Sequence, residues 1–328
     1  MGAVVTKAAL PDLAPRTGFA LFRNLGQLLE VPIVETETAF SVTTPNGEIA
    51  LQVKGDAIDL TLRAANDVRL HALKQVVFAR LARLERPVVP KWDHVAVGAL
   101  PPNLSMAQVE TVTRISPHFT RVRVRGQGLQ RFGDGGLHFR LLLARHGRAP
   151  VWPTIAADGR TVWPEGEDTL HRSVYTTRAF DPAGTWLDFD VFLHQGGRVT
   201  EWTYATGPGD PVGLMGPSGS DIPQAPWVGL FGDETALPAV ARILAALDAR
   251  TVGHAFLLLG DLSLGTRQLG NATAAAFSPD GQSIIAGGAD HTARLWETVA
   301  EKRLDPVLPH QAKLRALAFS PDGRTLLT

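Results

Sequence analysis

The sequence predicts a multidomain chain: a small α+β domain, an antiparallel β-barrel, a truncated α/β nucleotide-binding lobe and a partial β-propeller-like tail. Three observations carry that reading. Alternating runs and one helical run give way near residue 95 to many short strands punctuated by Gly, Pro and Asp. A strand–helix–strand pattern follows at 227–259. Then Phe277-Ser278-Pro279-Asp280-Gly281 recurs 42 residues on as Phe319-Ser320-Pro321-Asp322-Gly323, within the span of ~40–45 residues for one propeller blade. The boundaries read as a leader at 1–18, the α+β domain at 19–94, the barrel at 95–224, the lobe at 225–262 and the tail at 263–328.

Each element has a local cause. Asn46-Gly47 sits between alternating runs, the second being Ile49, Leu51 and Val53, and predicts a hairpin. A third alternating run is Ile58–Leu62. Asn66 or Asp67 then caps a helix that places Leu70, Leu73, Val76, Val77 and Leu81 on one face and stops at Pro87. Nothing in this domain reads as catalytic. The clearest barrel strands are Val109–Ile115, Phe119–Arg125, Leu137–Leu143 and Leu187–Leu193. In the second of these, arginines at 121, 123 and 125 share one face. It reads as a solvated face, with a basic ligand-facing strand as the alternative. In the lobe, Trp227–Phe231 and Ala255–Leu259 are short buried strands, and Ala239–Leu247 has helical spacing with Pro238 in the first turn.

Composition narrows the function. The chain has 328 residues, and its 32 Lys plus Arg balance 32 Asp plus Glu. That removes the broad electrostatic reason to expect a nucleic-acid or anionic-membrane partner. There is no cysteine, which excludes disulfides, cysteine-ligated metal and a thiol nucleophile and fits a reducing cytoplasm. No apolar run reaches the roughly 20 residues of a membrane helix, and Met1–Thr6 lacks signal-peptide character. The lone histidines His138 and His194 read as hydrogen-bonded barrel residues, and no metal-ligand spacing is present. Gly216-Pro217-Ser218-Gly219-Ser220 does not fit a nucleophile elbow.

The densest chemistry lies in Arg172-Ser173-Val174-Tyr175-Thr176-Thr177-Arg178, followed by His194-Gln195-Gly196-Gly197-Arg198-Val199-Thr200-Glu201-Trp202. Tyr175 offers a ring for a flat heterocycle, Thr176 a hydroxyl for a ring heteroatom, and Arg172 and Arg178 charge-assisted bonds to phosphate. A flavin dinucleotide needs all three. Gly197 to Thr200 add small residues and backbone amides suited to a pyrophosphate. The block Gly232-Asp233-Glu234-Thr235-Ala236-Leu237-Pro238 lies between a strand and a helix, where amides and the helix dipole favour an anion. Asp233 or Thr235 serves equally as that helix's N-cap.

The ordered set Trp152-Pro153, Trp163-Pro164, Tyr175–Arg178, His194–Trp202, Gly207-Pro208-Gly209-Asp210, Gly216-Pro217 and Gly232–Ala239 resembles the siderophore-interacting flavoproteins, ferric-siderophore reductases of the ferredoxin-reductase-like superfamily. The resemblance covers roughly residues 19 to 262. It implies a barrel that binds FAD, with Tyr175 and Thr176 facing the isoalloxazine and Arg172 or Arg178 and the Gly197–Thr200 turn holding the pyrophosphate. It further implies that Thr177, His194, Val199 and Trp202 belong to the cofactor site, and that the lobe, through Asp233, Thr235 and Ala236, docks NADPH or NADH as electron donor. The implied substrate is a ferric siderophore, whose iron is released on reduction; no catalytic residue is assigned. Two departures stand out. Ser173 occupies the place of the superfamily's arginine, and Gly197-Arg198-Val199-Thr200 replaces Gly-Pro-Ala-Ser. At the other end, Gly288–Glu297 resembles the closing strand of a WD repeat, with Glu297 in place of Asp. That resemblance implies a second reading, a fusion or truncated product that binds flavin or a protein partner through the tail without efficient catalysis. Because the recognisable lobe gives way near Leu262 to Gly265-Thr266-Arg267 and blade sequence, hydride input from NADPH or NADH is expected to be slow.

Overall fold

The computed structural model describes residues 2–55, 57–86, 88–248, 250–258, 272–277, 283–288, 292–297, 303–311, 318–320 and 325–327. The chain divides into two compact units, residues 1–104 with 147–170, and residues 105–146 with 171–328.

In the first unit, β1 (Val4–Leu10), α1 (Pro15–Leu28), β2 (Ile33–Glu35), β3 (Ala39–Thr44), β4 (Gly47–Lys54), β5 (Ala57–Ala64), α2 (Asp67–Leu81) and β6 (Lys91–Trp92) form a six-stranded sheet of order β2-β3-β4-β5-β1-β6 with two helices. Thr44 pairs with Gly47, so the expected hairpin forms with Pro45-Asn46 at its turn and Gly47 opening β4, one residue earlier than the Asn46-Gly47 turn read from sequence. Asn66 is the cap of α2, its Oδ1 accepting the Arg69 amide at 3.0 Å. The segment 1–18, set apart on sequence as a leader, supplies β1 and the start of α1. Thr6, Ala8 and Leu10 alternate inward, so the strand is held by burial as well as by pairing along its whole length with β5. α1 crosses the sheet closely. A Cβ on Gly18 would lie 2.4 Å from Ile58 Cδ1, so glycine is required for the approach.

His71, on the inner side of α2, is 6% exposed, and burial with some help from the Lys74 charge pushes its pKa down to about 4 from 6.5. The unfolded chain therefore takes up a proton near pH 6.5, whereas the folded chain holds the imidazole neutral until about pH 4. Stability from this group is full above pH 6.5 and falls by about 3 kcal/mol as the pH drops towards 4. Urea denaturation of His71→Gln against the parent should show the variant losing that part of the slope between the two values.

In the second unit, β7 (Leu104–Arg114), β8 (Phe119–Gly126) and β9 (His138–Leu143) are the first barrel strands; Leu104 itself falls in the first unit. The intervening segment 147–170, with the short pair β10 (Thr154–Ile155) and β11 (Thr161–Val162), belongs to the first unit. The barrel resumes with β12 (His171–Thr176), β13 (Ala179–Phe180), β14 (Trp186–Phe192), α3 (Arg198–Ala205) and β15 (Pro211–Ser218), giving the order β12-β9-β15-β7-β8-β14-β13. The sheet curls on itself, because the Tyr175 ring on β12 meets Phe189 on β14 at 5.2 Å although the two strands are not neighbours. Phe139 stands edge-on to both Phe132 and Phe189, at 5.8 and 5.5 Å, and these rings fill the interior with Leu141, Leu187 and Val191.

The arginine face of β8 is partly open to water, as expected of a solvated face, but two of its arginines are also paired. Arg121 lies opposite Asp190 and Arg123 opposite Asp188 on β14. Each guanidinium donates two bonds to its carboxylate, at 2.8 and 3.0 Å and at 2.7 and 2.8 Å. Arg123 also lies 4.0 Å from the centre of the Trp186 ring. Asp188 and Asp190 are 3% and 7% exposed, so the carboxylates are buried while the guanidiniums above them stay partly open to water. The sequence of β8 alone conceals this, because the carboxylates lie 65 and 69 residues away.

Beyond the barrel, β16 (Trp227–Asp233), α4 (Leu237–Ala246) and β17 (Val252–Leu258) form the expected β-α-β unit, with β16 and β17 parallel. Arg242 on α4 donates to the carbonyls of Leu137, Phe132 and Gly133 at 2.7, 3.0 and 3.1 Å, tying the helix to a barrel loop. Further on, β18 (Ala272–Phe277), β19 (Ser283–Gly288), β20 (Thr292–Glu297) and β21 (Arg303–Pro309) pair antiparallel in sequence order, and β22 (Ala318–Phe319) pairs with β23 (Leu326–Leu327). The turns at Asp280-Gly281 and Asp322-Gly323, and the junction at Leu262 and 265–267, lie outside the described residues. Among the described residues no helix is long and apolar enough to cross a membrane.

Candidate functional site

β12 sorts the Arg172–Arg178 residues onto two faces, because side chains alternate along a strand. His171, Ser173 and Tyr175 share one face and Arg172, Val174 and Thr176 the other. Tyr175 is half-buried, and its phenol pKa is raised by burial against Phe189. Arg172 is exposed on the opposite face from Tyr175. The Thr176 hydroxyl is buried and already engaged, 3.1 Å from His138 Nδ1, so it is paired within the barrel. That contact also fits the reading of His138 as a hydrogen-bonded barrel residue, and burial lowers its pKa. Thr177 is 1% exposed and its Oγ1 has no hydrogen-bond partner. Arg178 donates its amide to the Asp188 carbonyl at 2.8 Å and places its guanidinium 3.9 Å from Asp190, so it is part of the buried charge ladder.

The second block is a helix where a turn was expected. Gly197 is the N-cap of α3 and no side chain caps it. The amides of Arg198, Val199 and Thr200 therefore lack intrahelical partners and make the positive end of the helix. A Cβ on Gly197 would come 2.7 Å from His194 Nε2 and 2.8 Å from Thr200 Oγ1, so the loop closes only around a glycine. The Thr200 hydroxyl is used inside this loop, accepting the His194 amide at 3.2 Å. Val199 is buried in the barrel core, and Trp202 packs against the same core as Tyr175. His194 is exposed and stacks on Phe192 at 6.2 Å.

Arg198, part of the departure from Gly-Pro-Ala-Ser, stands on the first turn of α3. The structure also brings it near β12, since its charge adds to burial in lowering the His171 pKa. His171 Nε2 is in turn 2.7 Å from Ser173 Oγ. The signal available in the sequence was the substitution itself, a cation where the resembled family has a small neutral residue. In the lobe neither Asp233 nor Thr235 caps α4, whose N-cap is Ala236 without a side-chain bond; Asp233 instead caps the 3-10 turn Glu234–Ala236, its Oδ1 accepting the Thr235 amide at 2.9 Å and the Thr235 hydroxyl at 2.6 Å. These bonds hold the Asp233 carboxyl below its usual range. Ala236 lies directly after this turn, 2.4 Å from where a Cβ on Gly232 would stand.

The site is thus a half-buried ring, a buried hydroxyl without a partner and an uncapped helix start carrying a guanidinium. Those parts fit a flavin dinucleotide. Known proteins agree. Residues 108–221 match the siderophore-interacting FAD-binding domain and residues 225–306 the siderophore-interacting protein family. Over 156 residues the chain is 28% identical to ferric vibriobactin reductase of Vibrio cholerae, which covers 45% of this chain and 56% of that protein. Over 145 residues it is 33% identical to the NADPH-dependent ferric-chelate reductase of Escherichia coli K12, covering 43% of this chain and 56% of that one. The chain therefore spans a little over half the length of these curated relatives. Among solved structures, a siderophore utilization protein from T. fusca aligns with a TM-score of 0.43 at 28% identity, over 50% of this chain and 64% of that one. The second family match runs past 262 to residue 306 and lends no support to a lobe ending at 262 or to a WD-like tail. The expectation of FAD agrees with the description of the matched domain. In chain order, this protein carries a match to the siderophore-interacting FAD-binding domain over its barrel and to the siderophore-interacting protein family over the region that follows.

Proposed function

We propose that this protein is an FAD-dependent ferric-siderophore reductase that draws electrons from NADPH or NADH. The observation that carries the reading is the pairing of the half-buried Tyr175 ring with the uncapped start of α3 on one barrel core, within the segment matched to an FAD-binding domain. Similarity to reductases of ferric vibriobactin and of ferric chelates supports the substrate class, and one of those relatives is NADPH-dependent.

In this reading Tyr175, braced from behind by Phe189, holds the isoalloxazine. The amides of residues 198–200 and the Arg198 guanidinium hold the pyrophosphate. When bound, FAD supplies the conversion of a two-electron hydride donor into single-electron delivery to Fe(III). The balance is one NAD(P)H and two Fe(III) giving NAD(P)⁺, a proton and two Fe(II), and the ferrous ion leaves because hard oxygen ligands hold it weakly. Asp233, Thr235 and Ala236 form the strand-to-helix turn at which the nucleotide docks.

The test is the purified protein reconstituted with FAD and desalted. It should retain flavin absorbance, and with NADPH or NADH it should turn a ferric siderophore into ferrous iron trapped by ferrozine. A colourless protein overturns the reading. Tyr175→Ala should weaken FAD and riboflavin alike by about 1–2 kcal/mol through the lost ring contact. Arg198→Ala should weaken FAD by about 1 kcal/mol and leave riboflavin, which has no phosphate, unchanged. Fluorescence titration of both ligands separates the two roles.

A further inference from the structure

The first unit holds a cavity of about 450 Å³ between β1, the inner face of α2 and the segments around 93–102 and 155–159. All of its lining lies in that unit, and its volume falls in the range of small-molecule sites. We propose that it binds a small organic monoanion, a carboxylate carried on an apolar or aromatic body.

Two deep groups set the chemistry. His71 and Lys74 are three residues apart on α2 and so project from one helix face into the cavity. His71 is 6% exposed, and its ring lines the cavity in the neutral form that burial favours. Lys74 is half-buried, with its ammonium 4.5 Å from the centre of the Trp92 ring. Asp93 acts on it only from beyond ion-pair distance. A carboxylate is the simplest partner for both, since it accepts from the ammonium and from the N–H of the imidazole.

The rim explains why the ligand carries one charge and an apolar body. Asp67 and Asp93 are exposed at the mouth with His94. Asp93 is already committed, accepting the Thr6 hydroxyl at 2.7 Å and backbone amides. These rim carboxylates repel a ligand with further negative charge. The lining also includes the apolar Val95, Leu100 and Ile155, which suit an apolar body.

The test is calorimetric titration of the full-length protein with 2-naphthoate and with its neutral isostere 2-naphthamide. Naphthoate should bind saturably at one site per chain and the amide about tenfold or more weakly, because only the anion answers Lys74. Lys74→Met should cost naphthoate about tenfold while Lys74→Arg keeps most of the affinity, with FAD content unchanged in both. Equal binding of the two probes, no saturable binding of naphthoate, or an unaltered affinity in Lys74→Met would each overturn the proposal. The comparison of probes on the parent protein stands even if a Lys74 variant does not fold. Because the readout is independent of flavin, its failure is separate from any failure of the reductase reading.

Discussion

Phe189→Ala is expected to lower the stability of the second unit by about 4 kcal/mol, the cost of emptying a fully buried ring site. Phe189 is 0% exposed and meets Phe139 edge-on at 5.5 Å and Tyr175 at 5.2 Å. The cavity left behind removes support from two neighbours at once. Loss of stability is only half of the expected result. With its backing gone, Tyr175 is freed to fall inward, so FAD should bind more weakly than the Tyr175 contact alone explains. Phe189→Leu retains most of the volume and should recover both properties in large part. Denaturant unfolding and flavin titration on the two variants check this; a Phe189→Ala protein that binds FAD as tightly as the parent would show that Tyr175 is not the platform.

The second large effect is expected at the charge ladder. Asp190 accepts two bonds from Arg121 and lies 3.9 Å from Arg178, so Asp190→Ala removes a buried carboxylate that two guanidiniums share. We expect a loss of about 3 kcal/mol, the scale of breaking a buried pair by removing one partner. The contrast is Asp59→Ala in the first unit. Its partner Lys54 is exposed and 3.7 Å away, and its loss should cost less than about 0.5 kcal/mol. Added salt should leave the Asp190 effect nearly intact, since burial shields the pair from screening.

These effects also show where the sequence was readable. Local signals were reliable wherever backbone chemistry is local: the hairpin between β3 and β4, the Asn66 cap and Pro238 in the first turn of α4 each follow from their residue types, the hairpin turn falling one residue earlier, at Pro45-Asn46. α1 was missed because Gly18 and Gly26 interrupt its pattern, and they are there to let the helix approach Ile58 and Ile33. β1 was missed because Val4–Leu10 is short and its partner β5 lies over fifty residues away. For the candidate site, residue types in the two blocks pointed to a flavin, but not which hydroxyls are free. Thr176 is occupied by His138, 38 residues earlier, and Thr200 by the loop it closes. Arg198 was legible as a departure and became interpretable only once α3 placed it near His171.

The ladder between β8 and β14 has a consequence for strand alignment. Its charges repeat every second residue, as do the valines and apolar residues on the inner face. Sliding β14 by two residues would set Arg123 against Asp190 and Arg125 against Asp188, so both carboxylates would still face a guanidinium. Charge and hydrophobic alternation therefore agree on which face is which but are silent on phase. What breaks the translational symmetry lies at the ends: Phe119 against Phe192, with ring centres 5.4 Å apart, and Trp186 beneath Arg123. Phe119 begins β8, and Trp186 and Phe192 stand at opposite ends of β14, so their contacts distinguish this alignment from its electrostatically similar neighbours.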